Sequence, residues 1–301
     1  MREVGIIIPA YRREKELFQL LKSLNKLNYS KKKLIIYIVI DGFKILNKNI
    51  LKVSKFKTVT LFNERNMGPS FSRNKALRRS KTKYIWFLDS DALILKKNTL
   101  NKMIEYLNKY NIDGVTGYAE KFNSVYKVHT SNFYNNLINL EMFTNLKEFR
   151  TKINNFFSQT SLFVDKQKFV KKFGWYDNKL RIKEDEELVN RVNKKFRNFL
   201  IKKDTLVRHC PNLIAKNTVI QHIFDVIKTR QYVVKKNKRN PILFIWYDTL
   251  MVLDFLFKRI FHGKNFTSRR VSLMKKDFNL SEVVKSAVAL FKFYLGIKII
   301  S

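Results

Sequence analysis

The first 120 residues alternate apolar, strand-like runs with helical patterns, and this alternation constrains the fold more than any other feature of the chain. Four apolar or β-rich runs predict strands: VGIIIPAY (4–11), LIIYIVIDG (34–42), TVTLFNE (58–64) and YIWFLDSD (84–91). Apolar residues three and four apart predict a helix over 17–27, and Pro69 opens a second predicted helix over 69–80. Strands that alternate with helices predict a mainly parallel sheet covered on both faces.

The same alternation continues with a predicted helix at 98–107 and a predicted strand at 113–120, and then weakens. The later segments predict a helix at 132–149, strands at 160–165 and 205–210, and a loop that enters a helix at 173–192. We therefore predict an α/β fold over residues 1–215, with a Rossmann-like, mainly parallel mixed sheet flanked by helices. A C-terminal helical extension is predicted over residues 216–301.

The chain is strongly basic, and its composition limits the classes of partner. A net charge of +37 attracts polyanions, which include nucleic acid, anionic lipid and phosphorylated small molecules. The hydrophobic fraction of 45% is enough for a substantial core, which argues against wholesale disorder. The single cysteine, Cys210, rules out an intramolecular disulfide, and the apolar run at the N-terminus is too short for a signal peptide. These features favour a cytoplasmic location.

Acidic residues stand at the ends of two predicted strands, although acids are scarce elsewhere in the chain. Asp41 ends the second strand, and Asp89 and Asp91 end the fourth, where an extended chain would point both side chains the same way. Ligands of parallel sheets bind at the carboxyl ends of strands. Two neighbouring carboxylates repel unless a cation lies between them, and Mg²⁺ or Mn²⁺ prefers oxygen ligands. The alternative is an exposed turn, with Asp89 or Ser90 capping the next segment.

A second acidic cluster, KEDEE at 183–187, interrupts the basic background. Its simplest interpretation is a helix start, where acids are favoured by the positive end of the helix dipole. The preceding FGWYDNKL segment contains Trp175, which could stack on a sugar ring or be an ordinary core residue.

Four motifs taken in order resemble the start of a family 2 glycosyltransferase with the GT-A fold: IIIPAYRREKELFQLLKSL, IVIDG, NERNMGPSFSRNKAL and WFLDSDALI. They cover roughly residues 3–120, the half of that family's domain that binds the nucleotide sugar; residues 121–215 would form the acceptor half. The resemblance implies an inverting enzyme of the hexosyltransferase type. Such an enzyme moves a sugar from a nucleotide-diphosphate sugar to a hydroxyl group of a glycan or lipid-linked acceptor.

The resemblance also implies which residues bind the nucleotide sugar. The residues at matching positions are Pro9, Ala10, Tyr11, Arg13, Asp41, Asn66, Gly68, Arg73, Asp89 and Ser90, with Asn74 beside Arg73. Asp41 would contact the base. One departure is visible, because Phe43 stands where the family commonly has serine after Asp-Gly. Without the family, Arg73 could equally be a surface charge on a helix.

The resemblance further implies a metal site and a catalytic base. Asp91 and Asp89 would hold Mg²⁺ or Mn²⁺ with the donor diphosphate, and His209 could complete the metal shell. Asp185 matches the family's general base, which a sugar hydroxyl needs because it is a poor nucleophile until its proton is removed. Glu184 and Trp175 would face the donor sugar and acceptor. For His209 a structural role is the alternative, and two weaker candidates for the metal are His222 and His129.

Two apolar stretches mark the last third of the chain, at 240–261 and 280–300. The first approaches the ~20 residues of a membrane span. However, Asp248 and Asp254 lie inside it, and each would be costly at the membrane centre. We expect amphipathic helices on an anionic membrane surface, and hence a peripheral position at the inner face of the cell membrane. Packing against the catalytic domain is the alternative, and a true span is less favoured.

Other function classes explain fewer of these features. A basic nucleic-acid- or membrane-binding protein without transferase activity accounts for the charge, but not for acids at strand ends, and no nucleic-acid-binding module is recognisable. A nucleotidyltransferase of similar fold would need a glycine-rich first loop, whereas PAYRREKE has no glycine. A non-catalytic relative is disfavoured because both acidic motifs persist. Nucleic acid is therefore not an expected partner.

Overall fold

The computed structural model describes residues 3–43, 48–116, 119–121 and 160–182, with shorter stretches at 184–185, 187–188, 199–200, 205, 207–209, 229, 232 and 236. The chain divides into two compact units: Met1–Phe122 with Asn136–Leu213, and Asn123–Asn135 with Ile214–Ser301. The predicted helices at 132–149 and in 240–300 lie outside the described residues, and the predicted boundary at 215 stays a prediction. Within the described ranges, no helix is long and apolar enough to cross a membrane.

A mixed sheet forms the centre of the first unit. Its described strands are β1 (Val4–Ala10), β2 (Leu34–Asp41), β3 (Lys57–Asn63), β4 (Tyr84–Leu88), β6 (Gly114–Thr116), β8 (Ser161–Asp165) and β9 (Phe199–Leu200). They are ordered β3-β2-β1-β4-β8-β6-β9. The first four are parallel, β8 is antiparallel to both neighbours, and β9 is parallel to β6. The predicted class, a mainly parallel mixed sheet flanked by helices, is confirmed.

Helices cover both faces of this sheet. They are α1 (Glu14–Leu24), α2 (Pro69–Arg79), α3 (Thr99–Lys109) and α4 (Lys166–Phe173), with a short 3₁₀ helix at Lys48–Lys52. Side chains alternate across β1, so Ile6 and Ile8 join the core cluster that contains α1 and α3 residues. Ile7 joins the cluster that contains α2 and α4 residues. Because both faces of β1, β2 and β4 are buried, these strands read as continuous apolar runs.

The aspartate pair lies in a turn, and the expectation of an extended strand through Asp91 is wrong. Strand β4 ends at Leu88, and the Ala92 N–H donates to the Asp89 carbonyl at 3.1 Å, which closes the turn. The chain then forms β5 (Ala92–Ile94), which belongs to a second sheet with β7 (Ala119–Lys121) and β10 (Val207–His209), in the order β5-β10-β7. Asp89 and Asp91 therefore lie in the turn that connects a strand of the first sheet to a strand of the second.

The second sheet also divides a segment that the sequence predicted as one strand. Residues 113–120 contribute to both β6 and β7 (Ala119–Lys121), which belong to different sheets. The separation follows from pairing, because β7 aligns with β10 (Val207–His209) while β6 aligns with β8.

Strand β8 is joined to β4 by a buried side-chain bond. The Trp86 indole N–H donates to Ser161 Oγ at 2.9 Å, and both residues are fully buried. The neighbouring Asp89 N–H donates to the Thr160 carbonyl at 3.3 Å, so this pairing also holds the start of the aspartate turn.

Ser161→Ala should lower the free energy of unfolding by about 1–3 kcal/mol, because a buried N–H loses its acceptor. Urea denaturation measures this change. In a Trp86→Phe background the same substitution should cost clearly less, since the donor is already absent. Equal costs in the two backgrounds would contradict the role assigned to the bond.

Candidate active site

Asp41 is buried at the carboxyl end of β2 and organises the loop before α2. Its Oδ1 accepts from Asn63 Nδ2 and from the Met67 N–H, both at 2.8 Å, and its Oδ2 accepts from the Gly68 N–H at 2.8 Å. A carboxylate offers about four lone-pair positions. Asp41 can therefore hold this loop and still accept one further donor, such as an N–H of a nucleotide base.

The same loop passes so close to β2 that a glycine is required at its end. Gly42 has φ +71°, and a Cβ there would lie 2.0 Å from the backbone of Arg65 and Asn66. Asn66 Oδ1 accepts from the Gly68 N–H at 3.1 Å, so these two predicted site residues lie in one turn. Gly68 has φ +88° and directly precedes α2.

Two aromatic rings meet where β1 and β2 end. Tyr11 is 37% exposed and lies edge-on to Phe43, with ring centroids 6.1 Å apart. The Arg12 guanidinium lies over the Tyr11 ring at 5.2 Å. Ala10, in contrast, belongs to the hydrophobic core. Phe43, the departure from the family pattern, thus extends an aromatic surface that could contact a flat base.

Asp89 and Asp91 each pair with a different arginine. Asp91 is 3% exposed and its Oδ2 contacts Arg13 Nη1. Asp89 Oδ1 accepts from Arg73 Nη2 at 2.8 Å. Ser90, between them, is buried. The predicted residues Arg13, Arg73, Asp89 and Asp91 therefore lie together at the carboxyl ends of β1 and β4.

Arg73 points into the protein and joins the two acidic motifs. It is 2% exposed, and its Nη1 donates to Glu184 Oε1 at 2.5 Å while Nη2 binds Asp89. Burial alone would lower the pKa of the guanidinium, but the carboxylates of Glu184 and Asp89 outweigh this effect and hold the pKa above its usual value. The surface-charge alternative for Arg73 is thereby excluded.

The next residue of α2, Asn74, holds the loop before the second acidic cluster. Asn74 Nδ2 donates to the Tyr176 carbonyl and to Asn178 Oδ1, both at 2.8 Å, and Asn74 Oδ1 accepts from the Tyr176 N–H at 3.0 Å. The Tyr176 ring in turn lies 5.6 Å from the Arg73 guanidinium carbon.

Trp175, in the same loop, is 38% exposed, which excludes the alternative of a buried core residue. The guanidinium of Arg78 lies over its ring at 5.0 Å. Arg78 is more than one helical turn beyond Arg73 in α2. The contact of Trp175 with a sugar stays a prediction.

The structure gives the backbone positions of Asp185, the proposed base, and of His209, a proposed metal ligand. Glu184 and Asp185 both have helical backbone, with Glu184 buried and Asp185 half-buried. His209 in β10 is the register partner of Ala92, the residue after Asp91. No group of three histidine, cysteine or acidic side chains suited to a metal occurs among the described residues. His129 and His222 lie outside them. The roles of Asp185 and His209 stay predictions.

Residues 5–174 match the sequence profile of Glycosyl transferase family 2, which is more than half of the 301 residues. The chain belongs to this family. This membership confirms the resemblance found in the sequence, and the named relatives are glycosyltransferases.

Curated relatives match this family member over part of their length. An uncharacterized glycosyltransferase of Rickettsia bellii is 30% identical over 133 residues, covering 40% of this chain and 19% of the relative. The poly(ribitol-phosphate) beta-N-acetylglucosaminyltransferase TarS of Staphylococcus aureus is 30% identical over 122 residues, covering 38% and 20%. The matches thus span about a fifth of the length of these two relatives.

Solved structures confirm the GT-A fold for this family member. Residues 1–349 of S. aureus TarS in complex with UDP-GlcNAc superpose with a TM-score of 0.61 at 16% identity, covering 96% of this chain and 81% of that chain. A mannosyltransferase from Pyrobaculum calidifontis, in complex with GDP-Man and Mn²⁺, gives 0.56 at 13% identity and covers 99% and 82%.

Two residues that support the candidate site were missed in the sequence. Asn63 holds Asp41, and Tyr176 packs on Arg73. Asn63 could have been found, because it is a polar residue at the end of a predicted strand, as Asp41 is. Tyr176 gives no local signal, since its contacts are made to α2 across a long stretch of sequence.

Asp41→Asn should lower the free energy of unfolding by about 1–3 kcal/mol, because an amide cannot accept all the N–H donors that converge on Asp41. Chemical denaturation measures the change. The matched control is Asp165→Asn, because Asp165 only caps α4 through the Lys168 N–H and asparagine caps helices equally well. If both substitutions cost the same, the role assigned to Asp41 is wrong.

Proposed function

We propose that this protein is an inverting glycosyltransferase that moves a sugar from a nucleotide-diphosphate sugar to a hydroxyl group of a glycan or lipid-linked acceptor. One observation carries the proposal: Arg73 brings Asp89 of the first acidic motif and Glu184 of the second together at the carboxyl ends of the strands. This is the edge of a parallel sheet at which ligands bind.

The donor nucleotide would occupy the surface formed by the ends of β1 and β2. Tyr11 is exposed and Phe43 beside it is half-buried, and Asp41 can accept one more hydrogen bond. The TarS structure contains UDP-GlcNAc and the mannosyltransferase structure contains GDP-Man. A nucleoside diphosphate sugar of either kind fits this proposal.

The residues beside the proposed diphosphate position fit a hard divalent cation. Asp89 and Asp91 supply carboxylate oxygens, the ligands that Mg²⁺ and Mn²⁺ prefer, and such ions commonly complete their shell with water and substrate phosphates. The side chain of His209 would add a nitrogen ligand from β10. When bound, the metal supplies positive charge that offsets the charge developing on the leaving diphosphate.

Asp185 is proposed as the general base. Its carboxylate takes the proton of the acceptor hydroxyl while the hydroxyl oxygen bonds to the anomeric carbon. The bond from that carbon to the diphosphate oxygen breaks, and the diphosphate departs with the electron pair. A single displacement from the opposite face inverts the configuration of the sugar. Glu184, held by Arg73, places the helical backbone that carries Asp185.

The acceptor is proposed to be anionic or membrane-linked because the chain carries a net charge of +37. TarS is named for action on poly(ribitol-phosphate), a polyanion, which is consistent with this proposal. The amphipathic stretches at 240–261 and 280–300 are proposed to contact an anionic membrane surface.

A donor screen tests the proposed function directly. UDP-, GDP- and dTDP-sugars are supplied with Mg²⁺ or Mn²⁺, and thermal shift and donor hydrolysis are measured. We expect at least one donor to stabilise the protein and to be hydrolysed slowly. Saturable binding of DNA or RNA at physiological salt, with no response to any donor, would favour the nucleic-acid-binding alternative.

Asp91→Ala should abolish metal-dependent donor binding, because a buried carboxylate proposed to bind the metal is removed. Calorimetric titration of the donor found in the screen, with and without Mn²⁺, measures the loss. Asp165→Ala is the matched control, since Asp165 pairs with Tyr84 at the opposite end of β4. Unchanged metal-dependent affinity in Asp91→Ala would refute the metal assignment.

Asp185→Ala should leave donor affinity within about twofold of wild type and stop turnover, because a base acts only on the acceptor. Calorimetry gives the affinity, and donor hydrolysis or transfer gives the turnover. A variant that keeps full turnover would show that another group removes the proton.

A further inference from the structure

The guanidinium of Arg73 is a buried cation shared by two carboxylates that are distant in sequence. Asp89 lies 16 residues away and Glu184 lies 111 residues away. Taking charges out of water is costly, and buried ion pairs are often no more stabilising than apolar residues of similar volume. The arrangement is therefore poorly explained by stability alone.

We propose that Arg73 is a positioning residue that fixes the distance between the donor end and the acceptor end of the active site. This inference rests on the proposed glycosyltransferase function and deepens it. Arg73 holds Asp89, which adjoins the diphosphate position, and Glu184, which precedes the proposed base Asp185. It acts through these neighbours rather than on the reacting atoms.

The geometry suits this role because the two carboxylates bind different nitrogens of one rigid, planar group. Nη2 binds Asp89 and Nη1 binds Glu184, so neither carboxylate can move without breaking a charge-assisted bond. Rotation of the guanidinium is opposed by the Tyr176 ring, 5.6 Å away, and the backbone of Tyr176 is held by two hydrogen bonds with the Asn74 side chain. A lysine would keep the charge but has no planar fork with which to bridge the two acids.

The alternative is that Arg73 binds the donor diphosphate directly. In the structure both Nη atoms donate to carboxylates, and Nε is buried. Because Arg73 is 2% exposed, a direct contact with the donor would require its guanidinium to become more accessible than it is in this structure. Substitution of Arg73 distinguishes the two roles. If Arg73 contacts the donor directly, the substitution lowers donor affinity; if Arg73 is a positioning residue, the substitution lowers turnover and leaves donor affinity unchanged.

The experiment compares Arg73→Lys, Arg73→Met, Glu184→Ala and the double variant Arg73→Lys/Glu184→Ala. The control is Arg79→Lys, because Arg79 lies in the last turn of the same helix and is exposed. Thermal denaturation, donor affinity by calorimetry, and turnover by donor hydrolysis are measured for each protein. UDP-GlcNAc and GDP-mannose with Mn²⁺ are the donors used.

Arg73→Lys should restore thermal stability relative to Arg73→Met, because the charge beside the buried Glu184 and the half-buried Asp89 is kept. It should bind donor within about threefold of wild type while turnover falls about 100-fold, the scale expected for a shift of about 1 Å in a reacting group. Glu184→Ala should lose turnover to a similar extent. The double variant should be at most a few-fold worse than either single variant, since the two residues act as one unit. Arg79→Lys should match wild type.

Three results would overturn the proposal. Unchanged turnover in a folded Arg73→Lys protein would show that the bridge is not needed for catalysis. A large loss of donor affinity with little change in turnover would assign Arg73 to direct donor binding. Multiplicative losses of about 10,000-fold in the double variant would show that the two residues act independently. Wild-type protein that acts on neither donor would count against the proposed function for these donors, and this failure is distinct from the three results above, each of which requires an active wild-type protein.

Discussion

Buried carboxylates persist in a protein only when cations or hydrogen-bond donors compensate for their charge, and this constraint governs the carboxyl edge of the sheet. Asp41 is satisfied by an amide side chain and two backbone N–H groups, and Asp91 by Arg13. Asp89 and Glu184 share Arg73. Acidic side chains are therefore concentrated where a diphosphate is proposed to bind, and Arg13 and Arg73 compensate for part of their negative charge. A metal ion bound with the donor would add to the same compensation.

Helix α2 supplies most of the contacts that hold this edge together. The loop before it is fixed by Asp41, its second turn carries Arg73 and Asn74, and its face packs on the sheet through Ala76 and Leu77. One helix thus connects the nucleotide end, the aspartate turn and the loop before the second acidic cluster. Parallel pairing makes this possible, because the ends of β1, β2 and β4 open on the same edge.

The fold was predictable where the pattern of the sequence is local. Apolar runs located the strands of the parallel half, and Pro69 and the three- and four-residue spacings located the helices. The turn at Asp89 was not predictable, because the following Ala92–Ile94 leaves the main sheet to pair with β10, which is far away in sequence. Helix α4 was missed although Asp165 caps it and Phe169 and Phe173 are four residues apart. The inward direction of Arg73 has no local signal, since α2 is mostly polar and Glu184 lies 111 residues away.

The most direct test of the whole account is an anomalous-diffraction experiment on crystals grown with UDP or GDP and Mn²⁺. We expect the nucleotide at the carboxyl ends of β1 and β2, with a manganese peak that contacts both an oxygen of Asp91 and the diphosphate. A nucleotide bound elsewhere, or bound at this edge with the manganese remote from Asp91, would contradict the account.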